Sequence, residues 1–327
     1  MIHFDLSLFS KYRMQLMGIA TIMIILCHSV PYGVVLHPFI RYVFSLCNMG
    51  VDVFLFLSGM GCCYSLMGGG VNLFKWYKKR YLRLLTPYIV IYVFVILCWT
   101  CLGMESFKEG LSEFLTISYW THHKGAWFIA LLIPLYFVTP FIYKLLLSEK
   151  YRYIISFISV VLILILTRQS FEDKNDIIFN IKGAFQHSVV YIIGMSMAFD
   201  IKKGKSINCF WVVILPLMIY GAEKLIHTGV YTNWCLAIPV SSVIVFLIRE
   251  SHCSSLNVLL CWVGAISLES YLLNINLIRI ISYLSMPYSE CILLYGKYLE
   301  YVLVILLGIS ISKCVSILSK QIIKRVL

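Results

Sequence analysis

Residues 14–34 read MQLMGIATIMIILCHSVPYGV, twenty-one residues without an Asp, Glu, Lys or Arg. A helix that crosses a bilayer needs roughly 20 predominantly apolar residues. The stretch is continuous and does not alternate, so it reads as a membrane helix and not as a barrel strand. Working outward along the chain, nine more such runs follow, at 41–67, 82–103, 126–147, 152–168, 184–200, 208–226, 232–248, 258–284 and 292–318. The run at 152–168 is short, and the one at 184–200 contains Gln186 and His187.

The composition agrees. Of 327 residues, 61% are hydrophobic and 13% charged, with a mean hydropathy of +0.88. Soluble domains are about 45–50% apolar and about 25% charged. A water-soluble fold of this size cannot hide so much apolar surface, which excludes a soluble enzyme, a disordered chain or a small secreted scaffold. No internal repeat or second domain is visible. The expectation is an all-α, polytopic membrane bundle of about ten helices, forming a single domain over 1–327 with its core at about 13–320.

Charge orients the bundle. If the N-terminus is cytoplasmic, 18 of the 27 Lys and Arg fall on inside segments and seven outside, with Arg279 and Lys297 within spans. Basic cytoplasmic loops are the rule for membrane helices, so both termini are expected in the cytoplasm. The net charge of +12 then needs no nucleic-acid partner, and no RNA- or DNA-binding motif accompanies it. The start MIHFDLSLFSKYR is polar and lacks a signal-peptide pattern, so the first apolar run is expected to stay as a span. The 12 Cys sit mostly inside apolar runs and read as small hydrophobes. Cys98 and Cys101 have C-x-x-C spacing without a second pair, and no metal is expected. Residues 104–125 carry Glu105, Lys108, Glu109 and Glu113 among apolar residues, as either an amphipathic segment on the outer surface or an ordinary loop.

Ionisable residues within a bilayer cost about 2.5–3.5 kcal/mol and mark sites by default. His28 lies some 14 residues into the first span, roughly 21 Å from its start. A neutral imidazole there can take a proton from a hydroxyl, or it can simply join two helices by a hydrogen bond. Asp52 in NMGVDVFLFLSGMG either holds His28 in one tautomer or caps a helix at the interface. Ser58, Gly59 and Gly61 in the same stretch read as close helix packing. Glu269 shares a face with Asn276, in a span made polar by Ser267, Tyr271 and Asn274. That face looks into the bundle, as a site or as a structural network. The run KWYKKRYLRLLTP (75–87) is a positive-inside anchor with interfacial aromatics, or a polyphosphate dock built on Arg80 and Arg83, three apart on one face.

Five of these segments, in order, resemble the acyltransferase-3 membrane proteins, which O-acylate sugars and envelope polymers. They are MGIATIMIILCHS (17–29), GVDVFLFLSG (50–59), KRYLRLLTPY (79–88), WFIALLIPLYFVTPFIY (127–143) and GAISLESYLLN (264–274). The resemblance implies about ten helices in a bacterial cell membrane, a cytoplasmic acyl-CoA donor (usually acetyl-CoA) and an acceptor hydroxyl of a glycan outside. It makes His28 the essential histidine; in the mechanism expected from the residues, Asp52 orients it. Arg80 and Arg83 would bind the donor, and Tyr136 or Glu269 would stabilise the oxyanion or the leaving thiol. Trp127 and Tyr136 stand in family-like positions. Two positions depart from the pattern. Met17 replaces the family's Arg, with Arg13 one turn earlier as a substitute. Asn274 replaces a His and cannot shuttle protons. Outside this family, a transporter without chemistry would share ten helices and a few intramembrane polar groups, although transporters often show repeated halves. A degenerate, non-catalytic member would also fit.

Overall fold

The computed structural model describes residues 3–168, 177–226, 232–251, 253–286 and 296–327. The structure is 84% helical with almost no strand. Lys174 and the first residues of the 292–318 run lie outside the described residues.

After a short helix α1 (Ser7–Lys11), the chain enters α2 (Arg13–Tyr32), which ends where Gly33 takes a left-handed conformation at φ +91°. Glycine is the residue that adopts that conformation without strain. The second span is a single 29-residue passage built from α3 (Pro38–Leu46), a 3₁₀ turn at Cys47–Met49 and α4 (Gly50–Leu66). The third helix, α5 (Leu73–Leu102), begins nine residues before the expected run, capped by the Asn72 side chain on the Lys75 amide at 3.0 Å. The basic stretch is therefore helical and continuous with the span. Two short helices follow, α6 (Phe107–Phe114) and α7 (Ile117–His122), then α8 (Trp127–Leu145) and α9 (Arg152–Leu166). The chain continues through α10 (Ile177–Gln186), α11 (Ser188–Lys202), α12 (Leu215–Ile226), α13 (Trp234–Ser251), α14 (Ser254–Gly264), α15 (Ser267–Ser285) and α16 (Gly296–Val326).

Among the described residues, six passages are long and apolar enough to cross a bilayer alone, and α14 with α15, bent by 67°, makes a seventh. Three expected spans fall short as single helices. The 152–168 run gives a 15-residue α9. The 184–200 run is divided between α10 and the 15-residue α11. The 208–226 run is divided between a π-helical turn at Phe210–Ile214 and α12.

The bundle is organised around α4 and α11. In α4, 14 of 17 residues are buried, so it has neighbours on every side. It meets α11 backbone to backbone: a Cβ on Gly59 would strike the Tyr191 carbonyl, and one on Gly194 the Phe56 carbonyl. A second reciprocal crossing pairs Gly18 of α2 with Leu260, and Gly264 of α14 with Met14. Small residues permit such approaches, which supply the dispersion and packing that hold membrane helices together.

The bundle has two ends, named here for Arg13 and His28, which lie at opposite ends of α2. The first and last described segments both lie at the Arg13 end. Residues His3–Asp5 pair antiparallel with Ser206–Asn208 just after α11. At the other terminus, Lys78 Nζ donates to the Val326 carbonyl at 2.8 Å.

Candidate active site

At the Arg13 end, α2, α4, α5, α8 and α15 surround a cavity of about 730 Å³. Arg13, Arg80 and Arg83 line it, together with Ser58, Tyr136 and Tyr271. Arg80 and Arg83 reach it because residues three apart on a helix share a face. Arg13 reaches it because α2 starts there, and Gly61 makes its room. A Cβ at Gly61 would lie 2.8 Å from the Arg13 guanidinium. The close helix packing expected of Gly59 and Gly61 thus holds for Gly59, whereas Gly61 houses a cation. Arg80 Nη2 donates to the Gly61 carbonyl at 2.8 Å, and Arg13 Nη2 to the Leu57 carbonyl at 3.4 Å. Buried Arg13 Nε has no hydrogen-bond partner among the described residues. No carboxylate stands among the described lining residues. Three cations on low-dielectric walls create a potential that draws anions, and Arg forks match phosphate oxygens. The Tyr136 hydroxyl lies 3.2 Å from Ser58 Oγ on the same wall.

An aromatic group bounds the cavity toward the His28 end. The Phe54 and Phe128 rings are 6.2 Å apart, and Phe128 meets Tyr271 edge-on at 5.6 Å. One turn beyond Tyr271 on α15 stands Asn274. Its Oδ1 lies 2.7 Å from His28 Nδ1. A carbonyl oxygen only accepts, so Nδ1 carries the proton and donates, leaving the Nε2 lone pair for other chemistry. The Tyr301 hydroxyl of α16 also donates to the Ile25 carbonyl, binding α16 to this part of α2.

The expected Asp52–His28 pair is not what forms. Asp52 is fully buried, and its Oδ1 sits 2.6 Å from Nδ1 of His187. The Trp127 ring lies 4.6 Å from the His187 ring. Asp52 faces α11 and α8, while His28 turns toward α15, so the neutral amide of Asn274 does the orienting expected of the carboxylate. His187 was visible in the sequence only as a polar residue in a weak span, and nothing local named its partner 135 positions away. Trp127 packs on that pair and does not line the Arg13-end cavity.

Glu269 is also placed differently from its expected role. It lies five residues before Asn274, about 7.5 Å down the axis and about 140° around α15. It is buried beside Ser316 and Lys320 and lines a separate cleft with Arg83, Lys320 and Lys324. Neither Glu269 nor Tyr136 is beside His28.

Residues 104–125 are not a plain loop: they form two short helices, and α6 is amphipathic, with Gly110 and Glu113 buried and Phe107 and Leu111 exposed. A capping box between Ser106 and Glu109 starts α6, and the Ser106 hydrogen bonds hold the Glu109 carboxyl below its ordinary range. Glu113 is buried and receives two bonds from Arg279 Nη1, at 2.7 and 2.8 Å. Arg279 also pairs with Glu105 and lies 4.1 Å from the Trp99 ring. The ion pair pins α6 to α15, five residues beyond Asn274. Among the described residues, no three His, Cys, Asp or Glu side chains are grouped to hold a metal ion.

A family model described as an acyltransferase domain, Acyl_transf_3, matches residues 16–319. This chain belongs to the acyltransferase-3 family. With its long apolar helices, this acyltransferase-3 protein is a multi-pass integral membrane acyltransferase. Comparison with curated proteins and with solved structures returns no match.

Proposed function

We propose that this protein moves an acyl group, acetyl in the first instance, from cytoplasmic acyl-CoA to a hydroxyl of an envelope or surface sugar. The setting is a bacterial cell membrane crossed about ten times, with the Arg13 end in the cytoplasm. Lys75, Lys78, Lys79, Lys202, Lys203, Lys205, Lys320, Lys324 and Arg325 cluster at that end, as the positive-inside rule asks. The short α9 and α11 support the higher count, because each runs from one end of the bundle toward the other. Arg152 and Lys202 lie at the Arg13 end, and Thr167 and His187 at the opposite one.

One observation carries the reading. A cavity lined by three arginines ends at Tyr271, one helical turn before the Asn274 that holds the Nδ1–H of His28. Arg13, Arg80 and Arg83 suit the donor's phosphates. From Met17, on the cavity wall, to His28 is about 16 Å along α2. A long thioester arm threaded past Phe54, Phe128 and Tyr271 covers that distance.

At His28 the acceptor oxygen attacks the thioester carbonyl as Nε2 takes the hydroxyl proton. The tetrahedral intermediate collapses, the C–S bond breaks and the sulfur leaves with the proton that the imidazolium returns. The products are an ester and free thiol. Asn274 keeps its hydrogen bond throughout, as a dipole and not as a charge. General-base help of this kind is worth about 10²–10⁴-fold, with positioning adding to it. Purified protein given labelled acetyl-CoA and envelope glycans should release thiol and label the glycan, and His28→Ala should stop both. Unchanged transfer by His28→Ala would remove His28 from the chemistry. Glycan movement without thiol release would make the protein a transporter.

A further inference from the structure

Arg83 lines two cavities. One is the arginine cavity already described, and the other is a cleft of about 800 Å³ between α5, α15 and α16. Lys320 and Lys324 also line that cleft, four residues apart and therefore on one face of α16. Ser319 and Glu269 complete its polar wall. Three cations face one carboxylate, and Glu269 sits next to Lys320. The bond from Lys78 to the Val326 carbonyl ties the last turn of α16 to the first turns of α5. Lys324 is thereby held near Arg83. A general anchor for the bilayer surface would need neither this convergence nor an arginine shared with an interior cavity.

We propose that this cleft is a second phosphate-binding subsite, recognising a phosphate monoester at the end of the donor remote from the thioester. Resting on the acyl-CoA reading above, it assigns the ribose 3′-phosphate to Lys320 and Lys324. The diphosphate then lies in the arginine cavity, between Arg83 at its mouth and Arg80 and Arg13 within, and the pantetheine arm continues toward His28. The binding energy of a remote group is then available for holding the thioester in place. The same chemistry is offered by an anionic lipid headgroup, so the test separates the two sources.

The protein is assayed in nanodiscs of phosphatidylcholine with acetyl-CoA and with acetyl-3′-dephospho-CoA, beside the variant Lys320→Gln/Lys324→Gln. Both lysines are exposed on α16, so the substitutions leave the core intact. The KM for acetyl-CoA should rise about tenfold in the variant, the size of one or two lost charge-assisted contacts. The KM for the dephosphorylated donor should be the same in both proteins. An equal shift for both donors, or none for either, overturns the subsite. A variant effect that appears only when phosphatidylglycerol is added would assign the phosphate to lipid and overturn the donor role. If the unaltered protein transfers nothing from either donor, the functional reading fails together with the subsite.

Discussion

At the Arg13 end, three guanidiniums share a cavity with no carboxylate among its described lining residues, whereas at the His28 end the imidazoles of His28 and His187 each have a partner inside the bundle. Arg13 and Arg80 are half-buried and Arg83 is exposed; charge drawn even partly out of water without a counter-ion is costly, and an anion bound beside it lowers that cost. Burying an imidazole with one nitrogen satisfied costs far less and leaves the other nitrogen reactive. On the proposed function, one end receives a charged donor and the other holds a neutral base in a set tautomer. Arg13 and His28 stand about four helical turns apart on α2.

The sharpest break in that contrast is His28→Ala. It should lower transfer by about 10²–10⁴-fold while acyl-CoA affinity, measured separately by equilibrium binding, stays within twofold. A matched fall in affinity would place His28 in the donor site. In the unaltered protein, the rate should also fall on acidification as Nε2 takes up a proton, and that arm of the pH–rate profile should be absent from the residual activity of His28→Ala.

Arg279→Ala comes next, read as stability. It leaves the Glu113 carboxylate buried at 2% exposure without its partner. Breaking a buried pair costs about 3–5 kcal/mol, and the lower end applies because the Arg279 side chain is itself 29% exposed. Thermal unfolding in detergent should show a clear loss, and Glu113→Gln added to Arg279→Ala should recover part of it. No loss would mean that the ion pair does not pin α6.

Asn274→Leu removes the acceptor that fixes the His28 tautomer. A loss of about one hydrogen bond's free energy corresponds to about tenfold in rate. Asn274→Asp should retain more activity than Asn274→Leu, because a carboxylate also accepts from Nδ1. Equal loss in both would remove the tautomer argument.

Smallest is Asp52→Asn, which should cost about 1–3 kcal/mol of stability through the His187 pair and leave the shape of the pH–rate profile unaltered. A changed profile would restore the Asp52–His28 coupling that the geometry denies.

Much of the bundle is legible from residue order. Apolar runs place most of the long helices within a few residues, and the Arg80–Arg83 spacing predicts a shared face because helix periodicity is local. The bent passage α14–α15 and the division of residues 208–226 were not legible, since both depend on what the neighbouring helices leave room for. The polar pairings were legible only in kind. Asp52, His28, Glu269 and Asn274 all announced themselves by their cost in lipid, but each partner lies on another helix. A single periodic pattern shows which face a residue occupies along its own axis and nothing about the rotation of the helix beside it.

Composition and periodicity alone thus determined that this chain is a helical membrane bundle, that its basic loops share one side and that a histidine stands deep in its first span. Those properties follow from transfer free energies and from one helix at a time. Tertiary structure decided that His28 is held by Asn274, that Asp52 belongs to His187 and that Gly61 makes room for Arg13. It also decided that Glu269 faces the lysines of α16. Hydrogen bonds and ion pairs act over a few ångströms, and only packing brings residues as many as 276 positions apart in the chain within that range.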